Sequence, residues 1–117
     1  MKTLIISNDP PYGTERLYNA LRLATNLLVK HDDVELSIFL LGDSSSAAKA
    51  GQQTPNGYYN VERMLANVLR KGAGVFVCGT CMDARGLTQE ELLEGAQRST
   101  MDELTQLTYD AEKVLTF

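Results

Sequence analysis

The order in which the hydrophobic period changes is what most constrains this chain. Short apolar runs alternate with longer segments in which apolar residues return every three or four positions. Residues 2–7 (KTLIIS) form the first run, closed by the breaker-rich Asn8-Asp9-Pro10-Pro11-Tyr12-Gly13-Thr14. Leu17, Ala20, Leu21, Ala24, Leu27 and Leu28 then mark one helical face. They predict a helix capped by Thr14 and closed by Lys30 and His31, where positive charge suits the dipole. Residues 34–41 alternate at first and then become continuously apolar, the pattern of a strand covered on both faces.

The alternation continues to the end of the chain. Residues 44–50 predict a short helix stopped by Gly51, and residues 52–58 have the turn chemistry of an exposed loop. Asn60 is placed to cap a helix whose apolar face is Val61, Met64, Leu65, Val68 and Leu69. Residues 74–78 make a third strand. Thr88 and Glu91 form a capping box, flanked by the staple pair Leu87 and Leu92, and predict a short helix ended by Gly95. Residues 96–99 read equally as a very short strand or as a connection. A second capping box, Thr100 with Glu103, opens a helix bearing Leu104, Leu107 and Ala111, and residues 112–117 run into a last strand.

Strands separated by helices require right-handed crossovers, so the expected architecture is α/β, a largely parallel sheet between helical layers. At 117 residues the chain makes one domain, 1–117, able to bury a core without disulfide or metal staples. In such sheets reactive groups gather outside the carboxyl ends of the strands. Those ends are residues 7–14, 42–46 and 78–86, and Cys78, Tyr12 and Asp43 are expected to share one rim.

Cys78 and Cys81 are the only cysteines. A strand-end thiol is held rigidly yet expected to be open to solvent, and neighbouring backbone N–H groups or Arg85 would favour its thiolate. That thiolate can accept sulfane sulfur as a persulfide and pass it on without a cofactor, and Cys81 would resolve the persulfide as an internal disulfide. A competing reading makes Cys78 a small core hydrophobe. Asp83 and Arg85 either pair, with each other or with a neighbouring subunit, to fix the loop, or Arg85 tunes the thiol. A thioredoxin-like redox pair is the usual meaning of Cys-x-x-Cys in an α/β protein, but that motif opens a helix directly, and here Asp83, Arg85 and Gly86 are expected to intervene as a loop.

Other chemistries fit less well. One Cys-x-x-Cys and the distant His31 do not supply four ligands, so no metal site is expected. Residues 8–14 carry one glycine and two prolines, too few backbone donors for a phosphate loop. Tyr12 is expected to line the rim, and Tyr58 and Tyr59 to line an interface or pocket. A net charge of −4 without a Lys/Arg cluster gives no reason to expect direct nucleic-acid binding. The first apolar run is too short for an export signal or a membrane span, so a cytoplasmic location is expected.

Taken together, Pro11-Tyr12-Gly13-Thr14, Gly57-Tyr58, Cys78 with Arg85-Gly86, and the terminal residues 113–117 (KVLTF) resemble the DsrE/DsrF-like family, especially its YchN-like branch. The resemblance spans nearly the full length. It implies a three-layer α/β/α domain of DsrEFH-like type with a five-stranded, mainly parallel sheet, assembled as a homo-oligomeric trimer or hexamer. In the sulfur-relay members, which work in tRNA thiolation or dissimilatory sulfur oxidation, the cysteine matching Cys78 carries the persulfide. The resemblance thus implies a sulfur carrier or sulfurtransferase with donor and acceptor proteins as partners. A non-enzymatic oligomeric binding or regulatory module and a thiol–disulfide redox protein are the alternatives.

Overall fold

A computed structural model describes residues 1–117. Five strands, β1 (Lys2–Ser7), β2 (Glu35–Leu40), β3 (Gly74–Cys78), β4 (Ala96–Ser99) and β5 (Lys113–Thr116), form one sheet in the order β4-β3-β2-β1-β5. All four pairings are parallel. The sequence expectation of a mainly parallel sheet is therefore met by a wholly parallel one, and residues 96–99 are one of its two edge strands.

The helices are α1 (Arg16–Lys30), α2 (Val61–Arg70), α3 (Gly79–Ala84) and α4 (Met101–Asp110). Alternation along the strands divides the core in two. Ile5, Ile38, Leu40, Val75 and Val77 face α1 and α2 and join a cluster of 21 buried residues with Leu17, Leu21, Leu65 and Met82. Leu4, Phe39 and Cys78 point the other way and meet Leu104 of α4 in a cluster of only four buried residues. One layer is thick and the other is a single helix deep.

Several helix ends differ from expectation for local reasons. Glu15, not Thr14, stands at the N-cap of α1, and the Thr14 hydroxyl donates to Asp9, 3.2 Å away, while accepting the Arg16 N–H at 3.5 Å. Residues 42–48 wind as a 3-10 helix rather than an α-helix. Asn60 caps α2 as expected, accepting the Arg63 N–H. The Thr88 and Glu91 capping box forms, but it opens only one 3-10 turn, Gln89–Glu91. The chain leaves that turn at Leu92 because Leu92 and Leu93 are drawn into the large core, with the Leu93 N–H bonded to Ala48. At α4 the Thr100 hydroxyl accepts the Glu103 N–H, while the Glu103 carboxylate turns to the Ser99 hydroxyl, so the second box is half made.

Candidate functional site

The carboxyl ends of β1, β2 and β3 are tied into one rim by short polar contacts. The buried Ser44 hydroxyl bonds the Ser7 hydroxyl at 2.7 Å and also the Asp9 carbonyl, joining the end of β1 to the turn after β2. Gly42 opens that turn with φ +54°, a backbone conformation that side chains other than glycine rarely adopt. In this setting its N–H donates to the Cys81 sulfur at 3.2 Å.

Both thiols stand at the start of α3. Cys78 is the residue that caps the helix, and its sulfur accepts the Cys81 N–H at 3.4 Å and contacts the Thr80 hydroxyl at 3.3 Å. The segment expected as a loop is thus helical through Ala84, and the Cys-x-x-Cys does open a helix directly. The sequence objection to a redox pair falls with it. Cys78 is also less open than expected, at 7% exposure, because Phe39 and Leu104 pack around it, and Cys81 is the half-buried thiol.

The two sulfurs are electrostatically unequal. Burial pushes the Cys78 thiol up, but hydrogen bonds from the Cys81 thiol, the Thr80 hydroxyl and the Cys81 and Thr80 backbone outweigh it and hold Cys78 below the ordinary thiol range. Burial and the bond to Cys78 raise Cys81, with the Gly42 N–H and Arg85 opposing. Cys78 is therefore the more acidic thiol of the pair and Cys81 the less acidic. Replacing Thr80 by valine is expected to raise the pH at which Cys78 becomes alkylated, as followed by iodoacetamide kinetics. A profile unchanged from wild type would remove the hydroxyl from this account.

Asp83 and Arg85 do not pair with each other, contrary to one sequence expectation. Arg85 reaches Asp43 through Nε at 3.0 Å and Nη2 at 2.7 Å and binds the Cys81 carbonyl through Nη1 at 3.0 Å, so it clamps α3 to the turn after β2. Arg85 acts on Cys81, not on Cys78. Asp83 is held by Arg98 of β4 in a two-pronged pair of 2.7 and 2.9 Å, and that guanidinium keeps the Asp83 carboxyl below the usual carboxylate range.

Arg98 also interacts electrostatically with Cys78 and lies against Gly79, where a side-chain Cβ would stand 2.9 Å from the guanidinium carbon. The sequence placed Gly42, Gly79 and Thr80 within the strand-end segments without a role for any of them, and it did not single out Arg98. For Arg98 the missing signal was the parallel register that sets Val77 beside Arg98 and Cys78 beside Ser99, which requires residues 96–99 to be a strand.

Tyr12 does not join the thiols. Its hydroxyl donates to Gln52 at 2.6 Å and accepts the Val61 N–H at 3.1 Å, so it braces the start of α2. Its ring stacks on Tyr59, 5.7 Å away between centroids.

A wholly parallel five-stranded sheet between unequal helical layers, presenting a dithiol where β3 passes into α3, defines a small α/β thiol protein. The chain belongs to the DsrE/DsrF-like family, whose sequence model matches residues 1–117. Among its relatives, Protein YchN of Escherichia coli strain K12 is 40% identical over 116 residues, 99% of this chain and 98% of that protein. Uncharacterized protein MJ0989 of Methanocaldococcus jannaschii is 41% identical over 117 residues, covering all of both chains. The crystal structure of the E. coli ychN protein superposes with a TM-score of 0.95 at 39% identity, covering 100% of this chain and 99% of that one.

Proposed function

We propose that this protein carries sulfane sulfur as a persulfide on Cys78 and hands it to an acceptor protein, working in the cytoplasm as a homo-oligomeric trimer or hexamer. The observation that carries the reading is the Cys78 sulfur itself, which accepts the Cys81 N–H and contacts the Thr80 hydroxyl, bonds that favour its thiolate. Membership of the DsrE/DsrF-like family supports it. No helix is long and apolar enough to cross a membrane. Self-association is supported by Phe76 and Leu41, which stay only partly covered on the thin side of the sheet, and by Val114 at its end, 40% exposed.

In the loading step the Cys78 thiolate attacks the outer sulfur of a donor persulfide. The new S–S bond forms as the donor S–S bond breaks, and the donor departs as a thiolate, with no net oxidation. An acceptor thiolate attacking the outer sulfur of Cys78 reverses that exchange and carries the sulfur away. If the Cys81 thiolate instead attacks the inner sulfur, a Cys78–Cys81 disulfide forms and hydrosulfide leaves.

That last branch connects to a second reading, a thiol–disulfide redox protein, which is favoured by the cysteine pair opening α3. The readings separate by mass. After incubation with a cysteine desulfurase and cysteine, or with polysulfide, intact-protein mass spectrometry is expected to show one added sulfur in wild type and in Cys81→Ser, and none in Cys78→Ser. A redox pair alone gives the disulfide without ever gaining sulfur. Absence of any added sulfur with both donors, in wild type and Cys81→Ser alike, overturns the carrier reading.

A further inference from the structure

A groove of about 1000 Å³ runs between α1 and α2, away from the cysteine pair, and the proposed sulfur chemistry does not use it. Helical spacing builds its walls. Tyr18, Arg22 and Asn26 recur every four residues on α1, and Arg63 and Asn67 do so on α2. Tyr58 and Tyr59 close one end.

The rings are arranged as a continuous stack. Tyr18 and Tyr59 lie 4.3 Å apart between centroids at an interplanar angle of 27°, and Tyr59 and Tyr58 lie 4.5 Å apart at 23°. Tyr58 ends the stack with 51% of its surface exposed. The Arg22 guanidinium sits 5.6 Å from the centre of the Tyr18 ring and is steadied by a 3.1 Å bond to Asn19.

The charged groups of the groove are of one sign. Its lining contains two arginines and no aspartate or glutamate, in a chain whose formal net charge is −4. Asn60 is consumed in capping α2, but the side chains of Arg63, Asn26 and Asn67 bond to no other part of the chain. A neighbouring hydroxyl on Tyr58 and burial push Tyr59 up to about 12, so it stays neutral. Glu15 acts on Tyr59 from outside the lining.

An exposed ring at the end of an aromatic stack, two cations without a competing carboxylate and free amides nearby fit a flat ring carrying an anionic group. Its volume lies at the upper end of the range, about 300–1000 Å³, that small-molecule sites occupy. We propose that the α1–α2 groove binds a nucleoside monophosphate, its base stacked on Tyr58 and its phosphate paired with Arg63, the arginine whose side chain is not already engaged as that of Arg22 is. The inference stands apart from the sulfur reading, because Cys78→Ser is expected to leave this binding intact.

The chain has five tyrosines and no tryptophan, and Tyr12, Tyr18, Tyr58 and Tyr59 lie in or against this stack, so its emission reports the groove. Adenosine monophosphate titrated into the full chain is expected to change tyrosine emission saturably, with matching calorimetric heat. Adenosine alone and inorganic phosphate alone are each expected to bind at least tenfold more weakly.

Arg63→Ala, on the exposed side of α2, and Tyr58→Leu should each weaken adenosine monophosphate at least tenfold with unchanged circular dichroism. Arg63→Ala decides the matter if Tyr58→Leu fails to fold. No saturation, or phosphate binding as tightly as the nucleotide, overturns the proposal. So does an Arg22→Glu variant that lowers the particle mass by light scattering while nucleotide binding stays absent in wild type, since the groove then holds a second copy of the chain.

Discussion

Phe39→Ala is expected to lower the unfolding free energy by about 3–5 kcal/mol, the cost of removing a buried aromatic ring and leaving the space behind it. Phe39 is 1% exposed and is one of four buried residues in the cluster under α4. Its ring stacks on Phe76 at 6.3 Å, and Phe76 is only partly covered. Urea denaturation measures the loss. A second readout comes from Cys78, which shares the cluster and should be alkylated faster in the folded variant than in wild type. Stability within 1 kcal/mol of wild type, with alkylation unchanged, would show that α4 settles into the vacancy.

Gly79→Val is the second large effect and acts by overfilling. A Cβ at residue 79 would meet the Arg98 guanidinium at 2.9 Å and the Ser99 carbonyl oxygen at 3.0 Å. The guanidinium is flexible and can swing aside, but the carbonyl belongs to the sheet backbone and cannot. A destabilisation of about 1–3 kcal/mol is expected from the crowding. Displacing Arg98 also releases Asp83, whose carboxyl should titrate closer to its ordinary range, as carbon-detected NMR would record. Asp83→Asn is the control, because it breaks the ion pair without filling the space and should cost less. Equal losses in the two variants would assign the effect to the ion pair and not to the contact at Gly79.

Much of this architecture was legible from the period of the hydrophobic residues. Long patterns such as Leu17 to Leu28 and Val61 to Leu69 became helices because a whole face is buried, and their local signals agree with their tertiary surroundings. Thr88 shows the opposite case. Its capping box is real, yet the pull of Leu92 and Leu93 into the core ends the helix after one turn.

The candidate site was legible in its nucleophile and much less in its surroundings. Cys78 and Cys81 stand out by composition, and the bonds to Cys78 are local, from Thr80 and Cys81, whereas Gly42, which donates to Cys81, and Asp43 and Arg98, which hold Arg85 and Asp83, are brought close only by strand order. Asp83 and Arg85 look like a local pair on paper. On a short helix each finds a longer-range partner instead, one toward β4 and the other toward the turn after β2.

The unequal thickness of the two helical layers has a dynamic consequence for the buried thiol. Detaching α4 uncovers Leu104 and the side of the sheet around Cys78, while the 21-residue cluster beneath α1 and α2 keeps its contacts. Such a partial opening lies well below global unfolding in free energy, since few apolar contacts are broken. The molecule can thus admit a reagent, or a partner's sulfur, to Cys78 by lifting one peripheral segment from an otherwise intact body. Amide protons of α4 would then exchange ahead of those of β1 to β3, at a rate that also sets how often the thiol meets the outside.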